Sequence, residues 1–321
     1  MAGRVIVALG AALGVLALGA GAARAQPTAP ATPGVELAVE TGGASMQSYG
    51  EDWLVNPLNE LELGGTLRFL MAPESGLTTD DDGELRFTDV GIFRAAARYS
   101  FGRRFEIAGG VDLLAKQPSF LDEPIFQGAD GTLRFALAPR WALWLRGAGG
   151  PLLGDQGAWG EAATGVQART SIDETIHFQA SLGGATTRLF AGEDGHPWFV
   201  EAVAHGETVL RSPRGEVAGW LGVDYRVPVA EEDDGTGLDP TVRLNFQLGV
   251  MLGYVGKWDL FSAVTWIDRG DVEDPSSTLP ILDGGFDQVH LLFGANRRWD
   301  LSTAQDRQDL VLEMAKDRPQ S

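Results

Sequence analysis

From residue 59 onward, apolar residues recur at every second position, with polar or very small residues between them. Successive side chains of a strand point to opposite faces, so a period of two predicts strands with one apolar and one polar face. Leu61, Leu63, Gly65, Leu67 and Phe69 form one such row against Glu62, Gly64, Thr66 and Arg68. Phe93, Ala95, Ala97 and Tyr99 alternate with Arg94, Ala96, Arg98 and Ser100, and Phe105, Ile107, Gly109, Val111 and Leu113 with Glu106, Ala108, Gly110 and Asp112. Leu133, Phe135 and Leu137 lead through Pro139-Arg140 into Trp141, Leu143 and Leu145. A weaker stretch at 160–170 shows Ala162, Val166 and Ala168. Clearer rows return at 176–182, 198–210, 217–225, 242–250, 259–267 and 289–293. Together these predict about twelve strands.

A soluble sandwich alternates as well, so the connections decide between the two. Long connections at 72–86, 116–130, 150–159, 191–197, 228–240 and 268–285 take turns with short ones centred on Gly102-Arg103, Pro139-Arg140, Asp173-Glu174, Pro213-Arg214 and Gly256-Lys257. Long loops at one end and tight turns at the other predict an all-β, up-and-down antiparallel transmembrane β-barrel. Greek-key crossings give no such beat. Charge follows the same division. The long connections are acidic, with basic residues at their edges (Arg86 and Arg269), whereas the turns carry Arg103, Arg104, Arg140, Arg211, Arg214 and Lys257.

The chain ends fit an exported protein. Arg4, the apolar small-residue run 5–22 and Ala23-Arg24-Ala25 predict a signal peptide over 1–25; the alternative is a retained anchor. Residues 26–57 read as a linker or periplasmic segment, with one alternating run at 35–40 and an irregular stretch around Trp53 and Pro57. The barrel is expected over 58–299. The tail, 300–321, is expected either as a helix capped by Ser302 or Thr303 or, at 309–315, as another strand. There is no Cys, which excludes a lipid-anchored cysteine and any disulfide framework. Mean hydropathy is near zero, and a barrel needs only every second residue apolar. A formal charge of −19 argues against nucleic acid as a partner.

Several hairpins carry a resemblance. The run 97–107 (Ala-Arg-Tyr-Ser-Phe-Gly-Arg-Arg-Phe-Glu-Ile) resembles the tight periplasmic hairpins of Gram-negative outer-membrane barrels. Gly253-Tyr254-Val255-Gly256-Lys257-Trp258-Asp259-Leu260 is similar, and Asp287-Gln288-Val289-His290-Leu291-Leu292-Phe293-Gly294 resembles a closing strand. In pattern the chain is similar to outer-membrane transporters linked to aromatic degradation. That resemblance implies an outer-membrane location and passage of a small solute. The chain departs from those proteins in continuing some twenty residues past Trp299 instead of ending on an aromatic residue.

The chemistry is sparse. His177, His196, His205 and His290 have no metal-ligand spacing, and no cofactor motif is present. Ser181 and His177 share a strand face, as a lipid hydrolase would need, yet the sequence offers them no orienting acid. The acidic runs 80–84 and 231–234 lack EF-hand spacing and read as solvated loops. Inward charge is more informative. Arg facing lipid at mid-bilayer costs ~2–4 kcal/mol, so the polar faces must line the lumen. The expected lumen-lining residues are Arg68, Arg94, Arg98, Glu106, Asp112, Arg134, Arg146, Asp224, Arg226 and Arg243, with Glu62 on the same face. Arg outnumbers acid in this set, which predicts weak anion selectivity. No catalytic, metal or cofactor residues are expected. The function expected is passive movement of a small solute. A non-conducting barrel that binds through acidic loops is the alternative, and a lipid hydrolase the third reading.

Overall fold

The computed structural model describes residues 54–72, 86–116, 126–151, 157–173, 175–191, 198–212, 217–231, 243–255, 258–269 and 288–316. The export signal, the linker to residue 53 and most of the long connections, including the acidic run 80–84 and all but Glu231 of the run 231–234, lie outside these residues.

Twelve strands follow one another: β1 (Glu60–Ala72), β2 (Arg86–Phe101), β3 (Phe105–Lys116), β4 (Phe126–Ala138), β5 (Trp141–Pro151), β6 (Gly157–Ser171), β7 (Ile176–Ala191), β8 (Trp198–Arg211), β9 (Val217–Glu231), β10 (Arg243–Val255), β11 (Trp258–Arg269) and β12 (Gln288–Asp300). Each pairs antiparallel with its neighbours in sequence, and β1 pairs with β12 to close the barrel. The closing ladder runs from Glu60 opposite Asp300 to Met71 opposite Val289. The strands reach further into the long connections than alternation indicated: β4 starts at Phe126 and β9 runs to Glu231. Backbone pairing continues past the rows where side chains sort by polarity, and alternation reports only those rows.

The faces sort as a membrane wall requires. Leu248 is 64% exposed, Leu182 63%, Leu145 55%, Trp266 56% and Phe293 51%, all on outward rows. Inward rows hold small, polar and charged residues, with one apolar patch on β8 to β12. This reverses a soluble protein, where large apolar side chains are the ones removed from water. Among the described residues no second sheet covers Leu244, Phe246 and Leu248, whose strand lies between β9 and β11 in the barrel wall.

Large inward rings are accommodated by glycine on the adjoining strand. Trp220 faces Gly249 in register and Phe261 faces Gly294, and a Cβ on either glycine would overlap the ring. Trp144 lies against Gly165 and Gly183 in the same way. At the short-turn end, Gly102 (φ 60°) and Arg103 (φ 66°) are both left-handed, which lets the chain reverse between Phe101 and Phe105.

After β12 the tail forms a helix, α1 (Ala304–Lys316), not a further strand. Its cap is Thr303: the Thr303 Oγ1 accepts from the Asp306 N–H at 3.1 Å, and the Asp306 carboxylate accepts from the Thr303 N–H at 2.8 Å. Ser302 turns away from the helix and accepts from the Asn59 N–H at 2.9 Å. Arg103 reaches Asp309 at 3.1 Å, so the helix lies beside the β2–β3 turn.

Two predictions follow from this packing. Gly249→Ala should lower unfolding stability by about 1–3 kcal/mol through overpacking, while Gly206→Ala, which meets nothing within 4 Å, should leave it unchanged. Urea titration of the reconstituted barrel measures both. The Thr303 backbone and hydroxyl bonds hold the Asp306 carboxyl below its ordinary value of 3.8. A depressed value means the cap is complete above about pH 4 and fails as pH falls through the lower folded value. The protection of the Arg307 amide, its exchange relative to an unstructured amide at the same pH, should therefore fall on acidification below pH ~4, and Asp306→Asn should remove that dependence.

Candidate functional site

The site is the barrel interior, where each wall strand contributes alternate residues. At the short-turn end, Arg98 donates to Glu62 at 2.7 Å, and Arg298 donates to Asp259 at 2.5 Å while lying 3.9 Å from Glu62. Glu106 accepts from Arg134 and, at 3.2 Å, from the Ser100 hydroxyl. These residues form a belt of alternating sign across β11, β12 and β1 through β4. Midway along the wall, Arg94 bridges Asp112 at 2.9 Å and Asp130.

Nearer the long-connection end, Arg226 of β9 donates to Glu201 of β8 at 2.8 Å and to Glu161 of β6 at 2.7 Å. Arg146 stands 3.6 Å from Glu161. The Arg226 side chain is 2% exposed and its two carboxylates 1% and 0%, so the cluster is sealed from water. His205 Nδ1 lies 2.7 Å from Asp224.

The inner wall also carries an apolar patch on β8 to β12, built from Val209, Ala218, Trp220, Met251, Phe261, Ala263 and Leu292. Its polar edges are satisfied: Trp220 Nε1 donates to Gln247 at 3.0 Å, and Gln247 Nε2 donates to Thr265 at 3.1 Å. The interior thus mixes the two, with ion pairs around the whole wall and this hydrocarbon patch set among them on β8 to β12.

Accessibility separates these charges. In a closed barrel, an inward side chain can meet solvent only inside the lumen. Arg94, Arg98, Asp112 and Asp130 keep 19%, 18%, 23% and 12% of their side-chain surface, and His205, almost diametrically across the wall, keeps 16%. Water-reachable charge therefore runs from Arg98 near the short-turn end to Arg94, Asp112 and Asp130 midway along β2 to β4, with His205 of β8 on the other side.

Of the residues the sequence singled out, Arg94, Arg98, Glu106, Asp112, Arg134, Arg146, Asp224 and Arg226 make or approach ion pairs within the interior, and Arg68 lies on the row of Glu62 and Thr66. Arg243 is in register with Arg226, and its side chain is outside the described ones. The sequence count of inward charge is corrected. Asp130, Glu161, Glu201, Glu207 and Asp259 also face inward, as do Arg169 and Arg298, so the expected positive excess disappears. Asp130, Glu161, Glu201 and Glu207 went unnoticed because Ala, Gly or Thr stands beside them on the outward face, which blurs the alternation. The apolar patch escaped notice because β11 is apolar on both faces around Leu260 and Phe261.

The hydrolase constellation also changes. Ser181 pairs in register with His205, and His205 with Asp224, so an acid orients His205 rather than His177. Acyl transfer further needs donors aimed at the developing oxyanion. The strand N–H groups around Ser181 are spent on the β6 and β8 ladders. No group of three or more metal-ligating side chains occurs among the described residues.

A closed antiparallel wall, apolar outside and charged within, defines a transmembrane β-barrel. No protein-family model matches the chain, and no curated protein does. Solved structures that resemble it in fold include channels and porins. An outer-membrane channel from Pseudomonas putida F1 is 11% identical with a TM-score of 0.45, covering 78% of this chain and 98% of its own. The CymD monoaromatic hydrocarbon channel is 7% identical with a TM-score of 0.42, covering 78% and 93%. The NanC porin is 7% identical with a TM-score of 0.45, covering 74% and 98%. At such values the likeness carries neither solute nor activity over to this chain.

The sealed cluster yields a test. Arg226→Ala leaves Glu161 and Glu201 buried without their counter-charge and should cost about 3–5 kcal/mol of unfolding free energy. Replacing all three by apolar residues of similar volume should restore most of it. Tryptophan fluorescence during urea unfolding reports both.

Proposed function

We propose that this chain is a passive channel for a small solute in the outer membrane. The observation that carries the reading is solvent-reachable charge inside a closed wall: Arg94, Arg98, Asp112 and Asp130 meet water only if the lumen holds it. A barrel whose interior served only as filling would seal those side chains as it seals Arg226. Twelve strands lie between the filled eight-stranded barrels and the open sixteen-stranded porins, which suits a narrow passage. The acidic connections would then face outward from the cell and the basic turns the periplasm, with lipid around the apolar wall.

The burial of Arg226, Glu161 and Glu201 favours a second reading, a barrel that does not conduct. Planar-bilayer recording of the purified, folded protein separates the two. Small discrete conductance steps are expected; a silent bilayer with a folded barrel removes the channel reading in favour of the second.

The accessible charges balance, two Arg against two Asp, so the reversal potential in a salt gradient should lie near zero. Arg94→Ala with Arg98→Ala should move it toward cation preference, and Asp112→Asn with Asp130→Asn toward anion preference. Confined charges between low-dielectric walls are poorly screened, so both shifts should persist at physiological salt. Identical reversal potentials in all three proteins would mean that these side chains do not border the conduction path.

A further inference from the structure

Residues 54–59 precede β1 and are not part of the wall. The Leu54 N–H donates to the Pro139 carbonyl in the β4–β5 turn at 2.9 Å. At the other end of the segment, the Asn59 N–H donates to Ser302 Oγ at 2.9 Å, and the Asn59 carbonyl accepts from the Leu301 N–H at 2.8 Å. Asn59 Nδ2 reaches Asp306 of α1 at 3.4 Å. The segment therefore runs from the β1–β12 seam to a turn three strands away. Three interstrand spacings of ~4.8 Å make ~14 Å, and five extended residue steps reach at most ~18 Å. Little slack remains.

Burial places the segment within the barrel end and not around its outside. Leu54 is 5% exposed and Val55 0%, whereas the outward side chains of the same end, Phe105, Leu137 and Trp141, are 39%, 52% and 53% exposed. The inward wall beneath the segment is covered as well. Ala136 and Ala142, small residues beside the β4–β5 turn, are 5% and 1% exposed, although a residue at an open mouth would meet solvent. Neither alanine is large enough to shield itself.

We propose that residues 54–58 are an apolar strap closing the short-turn mouth over β2 to β5, tied down at Asn59 by the seam and by helix α1. The strap deepens the channel reading and rests on it for its role in passage: solute would cross this mouth only once Leu54 and Val55 leave their seat. The ties give the C-terminal helix a task, since Asp306 both caps α1 and reaches the residue at which the strap joins the wall.

The chain has no Cys, so a single introduced thiol can report the cover. Ala142→Cys should react with a membrane-impermeant maleimide roughly tenfold or more slowly than Arg140→Cys, which sits in the exposed turn, because reaction must wait for local opening. Adding Leu54→Ser with Val55→Ser, or separately Asn59→Ala with Ser302→Ala, should bring the Ala142→Cys rate close to the Arg140→Cys rate. The second pair removes the side-chain tie to Asp306 and the acceptor of the Asn59 N–H. Circular dichroism checks that each barrel is folded. An Ala142→Cys rate unmoved by either change, in folded protein, overturns the strap. Bilayer conductance is read on the same proteins. Faster labelling without any conductance upholds the strap and removes the channel reading. Measurable conductance with unmoved labelling overturns the strap alone.

Discussion

Everything in this molecule depends on one requirement: no backbone N–H or C=O group may face hydrocarbon unpaired. In lipid each unpaired group costs several kcal/mol, and a sheet meets the requirement only by having no edge. The β1–β12 ladder supplies that closure, from Glu60 opposite Asp300 to Met71 opposite Val289. Once the wall is closed, the two side-chain faces have no further choice. The outer one meets acyl chains and the inner one encloses whatever the barrel contains. An even strand number then brings both ends of the wall to the same side, where Asn59 and Leu301 bond directly.

The closed wall sets the electrostatics. Charge excluded from the outside accumulates within, where it is paired strand to strand. Some pairs are fully enclosed and act as struts; others border a wet space and give it a field. The difference is one of cover and not of residue type, since Arg94 and Arg226 each hold two carboxylates. Apolar side chains share the inner wall of β8 to β12 with Glu201, Asp224, Arg226 and Asp259, all of them nearly sealed, so the field in the wet part of the lumen comes mainly from β2 to β4.

The fold was largely legible because period-two alternation and the rhythm of long and short connections are both direct imprints of an up-and-down wall. What the sequence withheld depends on register. The apolar row of β9 places Arg226 inward, but that it meets Glu161 and Glu201 cannot be read from β6 and β8, whose outward residues around those acids are mostly Ala, Gly and Thr and mark the face poorly. That Trp220 needs Gly249, and Phe261 needs Gly294, emerges only once the strands are set side by side. The strap was hidden for another reason. Leu54, Val55 and Pro57 have no periodicity, and their seat is made by residues some eighty positions further on.

The bond between Arg226 and Glu161 joins residues 65 positions apart and crosses two intervening strands. Arg226 can meet Glu201 once β8 and β9 pair, and Glu161 can meet Arg146 once β5 and β6 pair. The three-residue cluster is complete only when β6, β7, β8 and β9 stand together. Before that point the charges are best left in water, and a half-built wall that enters lipid carries them exposed. The clasp therefore works as a checkpoint on assembly: it makes partial insertion of this half of the barrel unfavourable and ties the dehydration of its interior to completion of the four-strand arc.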